Sequence, residues 1–485
     1  MNKLSIVALA ACAFALASAA DAIPYASRVA VTNKSVSTNA NIDVTYLLNE
    51  AAESVTVKLL DSTMATVATA VGTTAAGLNS ATITAPATPG TYRVQIDVAC
   101  AAKETPYLIA GKYSKGTATN PFAGYTEITT QDLFSGYSPR AAMVELNQDS
   151  DNFGMIYTFS NYVPAATPAI QHCGAVLFDS QLNFWDPTES QDGFEKMIMK
   201  APTPAGTQAW NADYLPWDKN VIQYTGQAGI AETAYHTAGL TDELAVAKGS
   251  SDFDTYPRGG CAFEANSKKY IMVANGAAWN RFELDENNAV IAGTKVTILT
   301  AGGYSKLALN YDGKVYGLDR GATADNDGVQ AQIYRWSPEY LAGITETVNI
   351  TDSTYEWKIN CHPIRVAAAS VGPMGMRFDS KGDLYCISRY DTGSGVFFIG
   401  NASEASLVKD ASVDDLIFMY PYSVNTTYGN IGIDPVGNFI VTDNSKEACG
   451  IMSPAYAAGT YATKAPLSQN VTVTYPAAVT DWSLK

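Results

Sequence analysis

Between Ile23 and about Cys100 the chain alternates apolar and polar residues in short runs: Arg28–Thr32, Asn41–Leu48, Ser54–Leu60, Ala65–Val71, Ser80–Ala85 and Thr91–Val98. A period of two is the signature of a strand with one buried face, because successive side chains leave a strand on opposite sides. Runs of this kind separated by turn residues predict a small β-sandwich over residues 23–100. Residues 101–138, with Gly111, Gly116, Pro121, Gly124 and Gly136, read as a linker with room for one pairing strand.

From residue 139 onward a different unit recurs: an apolar strand, a turn bearing Asp or Asn with Gly, and a second strand rich in Tyr and branched residues. Its clearest copies run Met376–Tyr385 through Asp379 and Gly382, Ile431–Ile440 through Asp434 and Gly437, and Leu307–Tyr316 through Asn310 and Gly313. Weaker copies lie at Ala142–Tyr157 and Cys261–Val273, and third strands follow at Cys173–Phe178, Gln332–Trp336 and Gly395–Ile399. An Asp/Asn-x-x-Gly turn closes a hairpin because glycine accepts positive φ. Sheets repeated every few tens of residues arrange radially as blades, so residues 139–485 are expected to form a β-propeller, with a stack of β-sandwiches as the alternative. Five copies are visible. The interval between Tyr157 and Cys261, which contains Asn220–Tyr224, has room for another. Six blades are therefore expected, with five and seven as the alternatives, and Asn470–Tyr475 reads as the closing strand.

Two resemblances follow from these residues. The stretches Ile42–Leu48, Val55–Asp61, Ala76–Asn79 and Pro89–Val94 resemble the immunoglobulin-like domain of flagellar hook-cap proteins. That likeness implies a spacer or docking module rather than a flagellar role. The repeats resemble propellers of the NHL-repeat and gluconolactonase-like kind. The second of these implies a lactonase-type hydrolase holding a divalent cation at the channel through carboxylate and amide oxygens. Here Ser138-Pro139-Arg140 stands where that family has Glu-Gly-Pro in its first blade.

Lys3, the apolar run Leu4–Leu16 and the small-residue patterns Ala17-Ser18-Ala19 and Ala20-Asp21-Ala22 read as a secretory signal peptide over residues 1–22. Leu9-Ala10-Ala11-Cys12 is a rival lipoprotein processing site, which would leave the protein lipid-anchored. No later segment approaches the roughly 20 apolar residues of a membrane span. A secreted or bacterial cell-surface location is expected, the periplasm being the alternative. The formal charge of −16, with no basic run, argues against nucleic acid as a partner. Six cysteines follow the signal: Cys100, Cys173, Cys261, Cys361, Cys386 and Cys449. In an oxidising compartment they allow up to three disulfides among the 15 connectivities of six cysteines, or they are buried thiols. Cys173 and Cys449 stand at corresponding places in the first and last recognisable blades, which makes them candidates for a disulfide across the closure.

A rigid scaffold leaves its loops free to vary, so the binding surface is expected on loops joining second to third strands and on the loops leading into each blade. Tyr162, His172, Arg258, Trp279, Asp319, Arg389 and Tyr390 are the candidate residues of that face, with Tyr162 and Trp279 as sugar-stacking rings. Asp325 and Asp327, in Ala324–Gly328, could collect oxygen ligands for calcium, although the loop is not of EF-hand form. No Gly-x-Ser-x-Gly elbow occurs, and the glycines of Thr392-Gly393-Ser394-Gly395 directly flank the serine. The expected function is a non-enzymatic binding or scaffolding protein for a glycan, small molecule or protein, with a metal-dependent lactonase-type hydrolase as the alternative.

Overall fold

In the computed structural model the described residues are 22–103, 107–113, 126–127, 137–162 apart from 147 and 150, 175–183, 213–217, 220–224, 257–275, 278–286, 291–299, 305–319 apart from 312, 332–361, 370–390 apart from 380, 394–404, 409–410, 416–419, 431–443 and 448–476. Residues 1–21 of the expected signal peptide lie outside them. The described chain is nearly all β, and no helix among these residues is long and apolar enough to cross a membrane.

The N-terminal unit has two sheets that share one core. The first orders Ala26–Val31, Asn41–Leu48 and Gly77–Thr84. The second runs Ser35–Ser37, Val471–Thr474, Gly90–Cys100, Ser54–Leu60 and Thr66–Val71. Val44, Tyr46 and Leu48 from one sheet pack with Val55, Val57, Leu59, Val94, Ile96 and Val98 from the other. The alternating burial along Asn41–Leu48 and Ser54–Leu60 is what the period-two pattern predicts.

One sequence assignment is corrected here. Val471–Thr474, read as the strand closing the propeller, pairs with Gly90–Cys100 and Ser35–Ser37, and Gly459–Lys464 pairs along Gly90–Cys100 as well. The C-terminal strands thus belong to the N-terminal sheet rather than to the propeller into which the division at residue 139 put them. Strand pattern alone does not name a partner, since any exposed edge offers the same row of amide and carbonyl groups.

The remainder is a β-propeller built from antiparallel sheets. The first sheet comprises Tyr137–Val144, Ile156–Tyr162 and Ala175–Phe178. The second is Pro257–Ala265, Lys268–Asn275, Ala278–Leu284 and Val296–Leu299. The third is Ser305–Tyr311, Lys314–Asp319, Gln332–Trp336 and Trp357–Asn360, and the fourth is Ser370–Phe378, Leu384–Tyr390, Ser394–Ile399 and Leu416–Met419. The last orders Gly432–Ile433, Phe439–Asp443, Ala448–Ser453 and then Tyr107–Tyr113, whose register pairs Ser453 with Tyr107 and Ala448 with Tyr113. The ring is therefore completed by a strand from the linker, the position with room for one. A hairpin, Asp213–Trp217 with Asn220–Tyr224, lies in the interval expected to hold a further blade. First strands are neighbours: the second sheet's lies beside the third's, the third's beside the fourth's, the fourth's beside the last's, and the last's beside Tyr137–Val144. That succession of innermost strands is the radial packing of a propeller.

A single turn chemistry recurs. Asp61, Asp179, Asp379 and Asp434 each accept, at Oδ1, the backbone N–H groups two and four residues on. The distances are 2.8 and 3.0 Å, 2.9 and 2.9 Å, 2.8 and 3.1 Å, and 3.1 and 2.8 Å respectively. The residue three positions on has positive φ: Met64 at 65°, Leu182 at 59°, Gly382 at 87° and Gly437 at 98°. The carboxylate is thus the constant part, holding the turn even where a side chain occupies the left-handed position.

Neighbouring blades are joined by buried arginines. Arg281, in the third strand of the second sheet, donates from Nη1 to the carbonyls of Leu341 and Ala342 at 2.6 and 2.8 Å, within or beside helix α1 (Pro338–Gly343) of the next blade. Arg335, at the corresponding place one sheet later, donates to the carbonyls of Ser403 and Glu404, both at 2.8 Å. Each guanidinium also lies over an aromatic ring, Tyr270 at 5.1 Å and Trp357 at 5.5 Å.

Candidate functional site: one face of the propeller

In the antiparallel sheets the end of each second strand stands opposite the start of the first. Tyr162 pairs with Tyr137, Asn275 with Pro257, Asp319 with Ser305, and Tyr390 with Ser370. Because the first strands are packed side by side around one axis, these ends gather on one face. By register, Tyr162, Asp319 and Tyr390 end their second strands, Arg389 precedes Tyr390, and Arg258 follows Pro257 at the start of its first strand. His172, Asp325 and Asp327 lie outside the described residues, as does Cys173. Cys449 is in the last sheet, in register with Thr442 and Lys112.

Trp279 is the correction. Its ring is fully buried and cannot stack on a sugar. It packs edge-on against Trp336, with centroids 5.4 Å apart and planes at 75°, and Trp336 in turn stacks on Tyr334 at 5.6 Å. Both indoles lie over Gly317, where an added Cβ would come within 2.7 Å of Trp336 and 3.0 Å of Trp279. A glycine in mid-strand is a mark of such close approach, so Val315-Tyr316-Gly317-Leu318 held the signal that Trp279 belongs to a core between blades.

Asp319 is also fully buried, so it forms part of the floor of the face rather than an exposed charge. It stands opposite Gln332, whose Oε1 accepts the hydroxyl of Tyr334 at 2.5 Å. Burial, helped by the charge of Asp319, pushes the Tyr334 phenol well above its usual range, which keeps it a neutral donor.

The first strands share a second feature that sequence reading missed. Each of the first four sheets has a β-bulge just inside the face, between Pro139 and Ala141, Pro257 and Gly260, Ser305 and Leu307, and Ser370 and Gly372, with a second between Pro373 and Gly375. The extra residues are Arg140, Arg258 with Gly259, Lys306, Val371 and Met374. Bulges break the in-and-out alternation of a strand and re-aim side chains, and they concentrate beside binding sites. The available signal was the echo among Tyr137-Ser138-Pro139-Arg140, Tyr256-Pro257-Arg258 and Tyr304-Ser305-Lys306. Among the described residues, no three His, Cys, Asp or Glu side chains converge on a possible metal position.

No protein-family model matches this chain, and no curated protein matches it. Among solved structures, the chain is similar to a structural-genomics protein of unknown function from Bacteroides thetaiotaomicron VPI-5482, at 11% identity over 88% of this chain and 98% of that one, with a TM-score of 0.33. It is also similar to the WD40 β-propeller domain of Doa1, at 10% identity over 86% of this chain and 96% of that one, with a TM-score of 0.27. A putative 6-phosphogluconolactonase from Bacteroides uniformis ATCC 8492 matches at 13% identity over 70% of this chain and 86% of that one, also with a TM-score of 0.27. The propeller architecture described above follows from the strand order and packing of this chain itself.

Proposed function

We propose that this protein is an exported or cell-surface binding or scaffolding protein, carried on an immunoglobulin-like N-terminal unit, that takes a glycan, small molecule or protein on the propeller face where the second strands end. One observation carries the reading: strand ends bearing Tyr162, Arg389 and Tyr390, together with the bulges of four first strands, gather at the same end of the sheets. Such a surface combines a rigid frame with varied, partly aromatic positions, the arrangement that binding sites on repetitive scaffolds use. The signal peptide and the six-blade count belong to this reading as well.

The full chain lacking residues 1–22 should retain ligands on a glycan array or in a surface pull-down. Tyr162→Ala combined with Tyr390→Ala should weaken that retention, while Lys268→Ala, in the Asn266-Ser267 turn at the opposite end of a sheet, should leave it unchanged. Equal loss from both kinds of variant would place binding elsewhere and overturn the proposal.

A further inference from the structure

The two small-residue patterns that end the leader, Ala17-Ser18-Ala19 and Ala20-Asp21-Ala22, predict cuts three residues apart. Ala17 to Asp21 lie outside the described residues, and Ala22 alone distinguishes the two bonds. Ala22 is fully buried, in one cluster with Ala142, Ile156 and Phe178 of the first sheet and Ile440 and Ile451 of the last. That is the seam where the ring of the propeller closes, since Tyr137–Val144 packs there beside Phe439–Asp443. The seam is tight: a Cβ added at Gly432 would come within 3.2 Å of Ile440 and 3.3 Å of the backbone of Ala142. In an interior packed to this density a methyl group that fills its place is a structural part, and its loss leaves a hole.

The backbone here is held from both sides. The carbonyl of Ala22 accepts the hydroxyl of Tyr456 at 3.2 Å. Ile23 donates its N–H to Asn438 Oδ1 at 3.1 Å, and its carbonyl accepts from the side-chain amides of Asn49 and Asn438 at 3.1 and 3.2 Å. Asn438 also donates to the buried carboxyl of Asp434 at 2.6 Å. A cut after Ala22 would strip the methyl from the seam, remove the acceptor that Tyr456 uses, and turn the neutral Ile23 amide into an α-ammonium. Attraction to Asp434 would supply neither the methyl nor the acceptor. A cut after Ala19 leaves every one of these contacts in place, and buried polar groups depend on such partners.

We propose that a signal peptidase hydrolyses the Ala19–Ala20 bond, and that Ala22 is retained in the mature chain as the plug that seals the seam between the first and last blades. Water adds across the amide, leaving a carboxylate on Ala19 of the released leader and an α-ammonium on Ala20. The leader is thus residues 1–19 rather than 1–22. Processing acts on the extended chain during export, before the seam forms, so the bond need not be exposed in the folded protein. This rests on the export reading above and goes beyond it by fixing where the mature protein begins.

The full chain is expressed in a bacterial host, and the exported product is read by N-terminal sequencing and intact mass. The expected first residues are Ala20-Asp21-Ala22-Ile23. A chain starting at Ile23 would overturn the proposal while leaving export standing. A lipidated Cys12 would overturn it in favour of a lipoprotein, and an uncut leader would overturn it together with the export reading. Ala19→Arg should abolish the cut, whereas Ala22→Arg should leave it in place, both read on denatured product so that folding does not intervene; the reverse pattern refutes the assignment. Purified chains check the plug. One beginning at Ile23 should melt about 2 °C or more below one beginning at Ala20, and Ala22→Leu in the longer chain should lower the transition likewise by crowding a filled seam. An unchanged transition in either comparison would show that the seam does not depend on Ala22, and the proposal would fall.

Discussion

Asp434 shows at one position how a turn residue becomes a titrating group. Its carboxyl is buried and accepts from the side chain and backbone of Asn438 and from the backbone of Val436. Those bonds favour the ionised form, but burial outweighs them and raises its pKa from 3.8 to about 7. The folded protein therefore holds this proton more tightly than the unfolded chain does. The contribution of Asp434 to stability is greatest below about pH 3.8 and is lost as pH rises through about 7. Urea unfolding at several pH values between 4.5 and 7.5 should show the parent losing more stability across this window than Asp434→Asn. Identical slopes for the two proteins would exclude the effect. The Asp-x-x-Gly motif was legible in the sequence as a turn. That Met64 and Leu182 adopt the same conformation without glycine was not, because the carboxylate bonds that stabilise it join groups whose placement depends on both flanking strands.

Among the strands, the repeated arginine clamp carries the clearest consequence. Arg335 is almost wholly buried. It donates from Nε to Glu356 at 2.6 Å and from Nη1 to two carbonyls of the following blade. A lysine cannot span these acceptors, since an ammonium is a point donor where a guanidinium is a fork. Arg335→Lys should cost about 2–3 kcal/mol, within the range for breaking a buried, hydrogen-bonded charge. Denaturant titration measures it, and a loss below about 0.5 kcal/mol, the level of an ordinary surface change, would show that the clamp is dispensable. In the sequence Arg335 was simply part of a third strand, Gln332–Trp336. Its acceptors lie 68 and 69 residues away, a separation that strand periodicity does not encode.

At the scale of the whole molecule, the two ends of the chain hold the N-terminal unit to the propeller. Arg93 donates to the carbonyl of Ala465 at 2.7 Å and pairs with Asp149 at 2.5 Å, while Ser468 bonds Asp151. Ile23 donates its N–H to Asn438 Oδ1 at 3.1 Å, and the Tyr456 hydroxyl donates to the carbonyl of Ala22 at 3.2 Å. Val471 and Val473, both buried, contribute to the N-terminal core. Deleting residues 459–485 should therefore destabilise the N-terminal unit itself, although the cut lies hundreds of residues beyond it. Removing two buried valines and two paired strands should cost several kcal/mol. Limited proteolysis should then cleave within residues 23–100 of the shortened protein while the full chain resists there. Equal resistance would mean that the unit folds without its C-terminal strands.

What the sequence determined by itself is local. Period-two alternation from Ile23 to Cys100 and the Asp-Gly hairpins at 379–382 and 434–437 specify strands and turns, because a strand's two faces and a turn's φ angles are written in consecutive residues. The recurrence of these units was enough to indicate a propeller. Only the tertiary structure decided partners and exposure. It took Val471–Thr474 from the propeller to the N-terminal sheet, brought Tyr107–Tyr113 in to complete the last blade, buried Trp279 over Gly317, and put β-bulges into the first strands at Arg140 and Lys306. The reason is physical: a strand's edge offers the same hydrogen-bonding groups whatever its side chains, so which edges meet is settled by how whole sheets pack together.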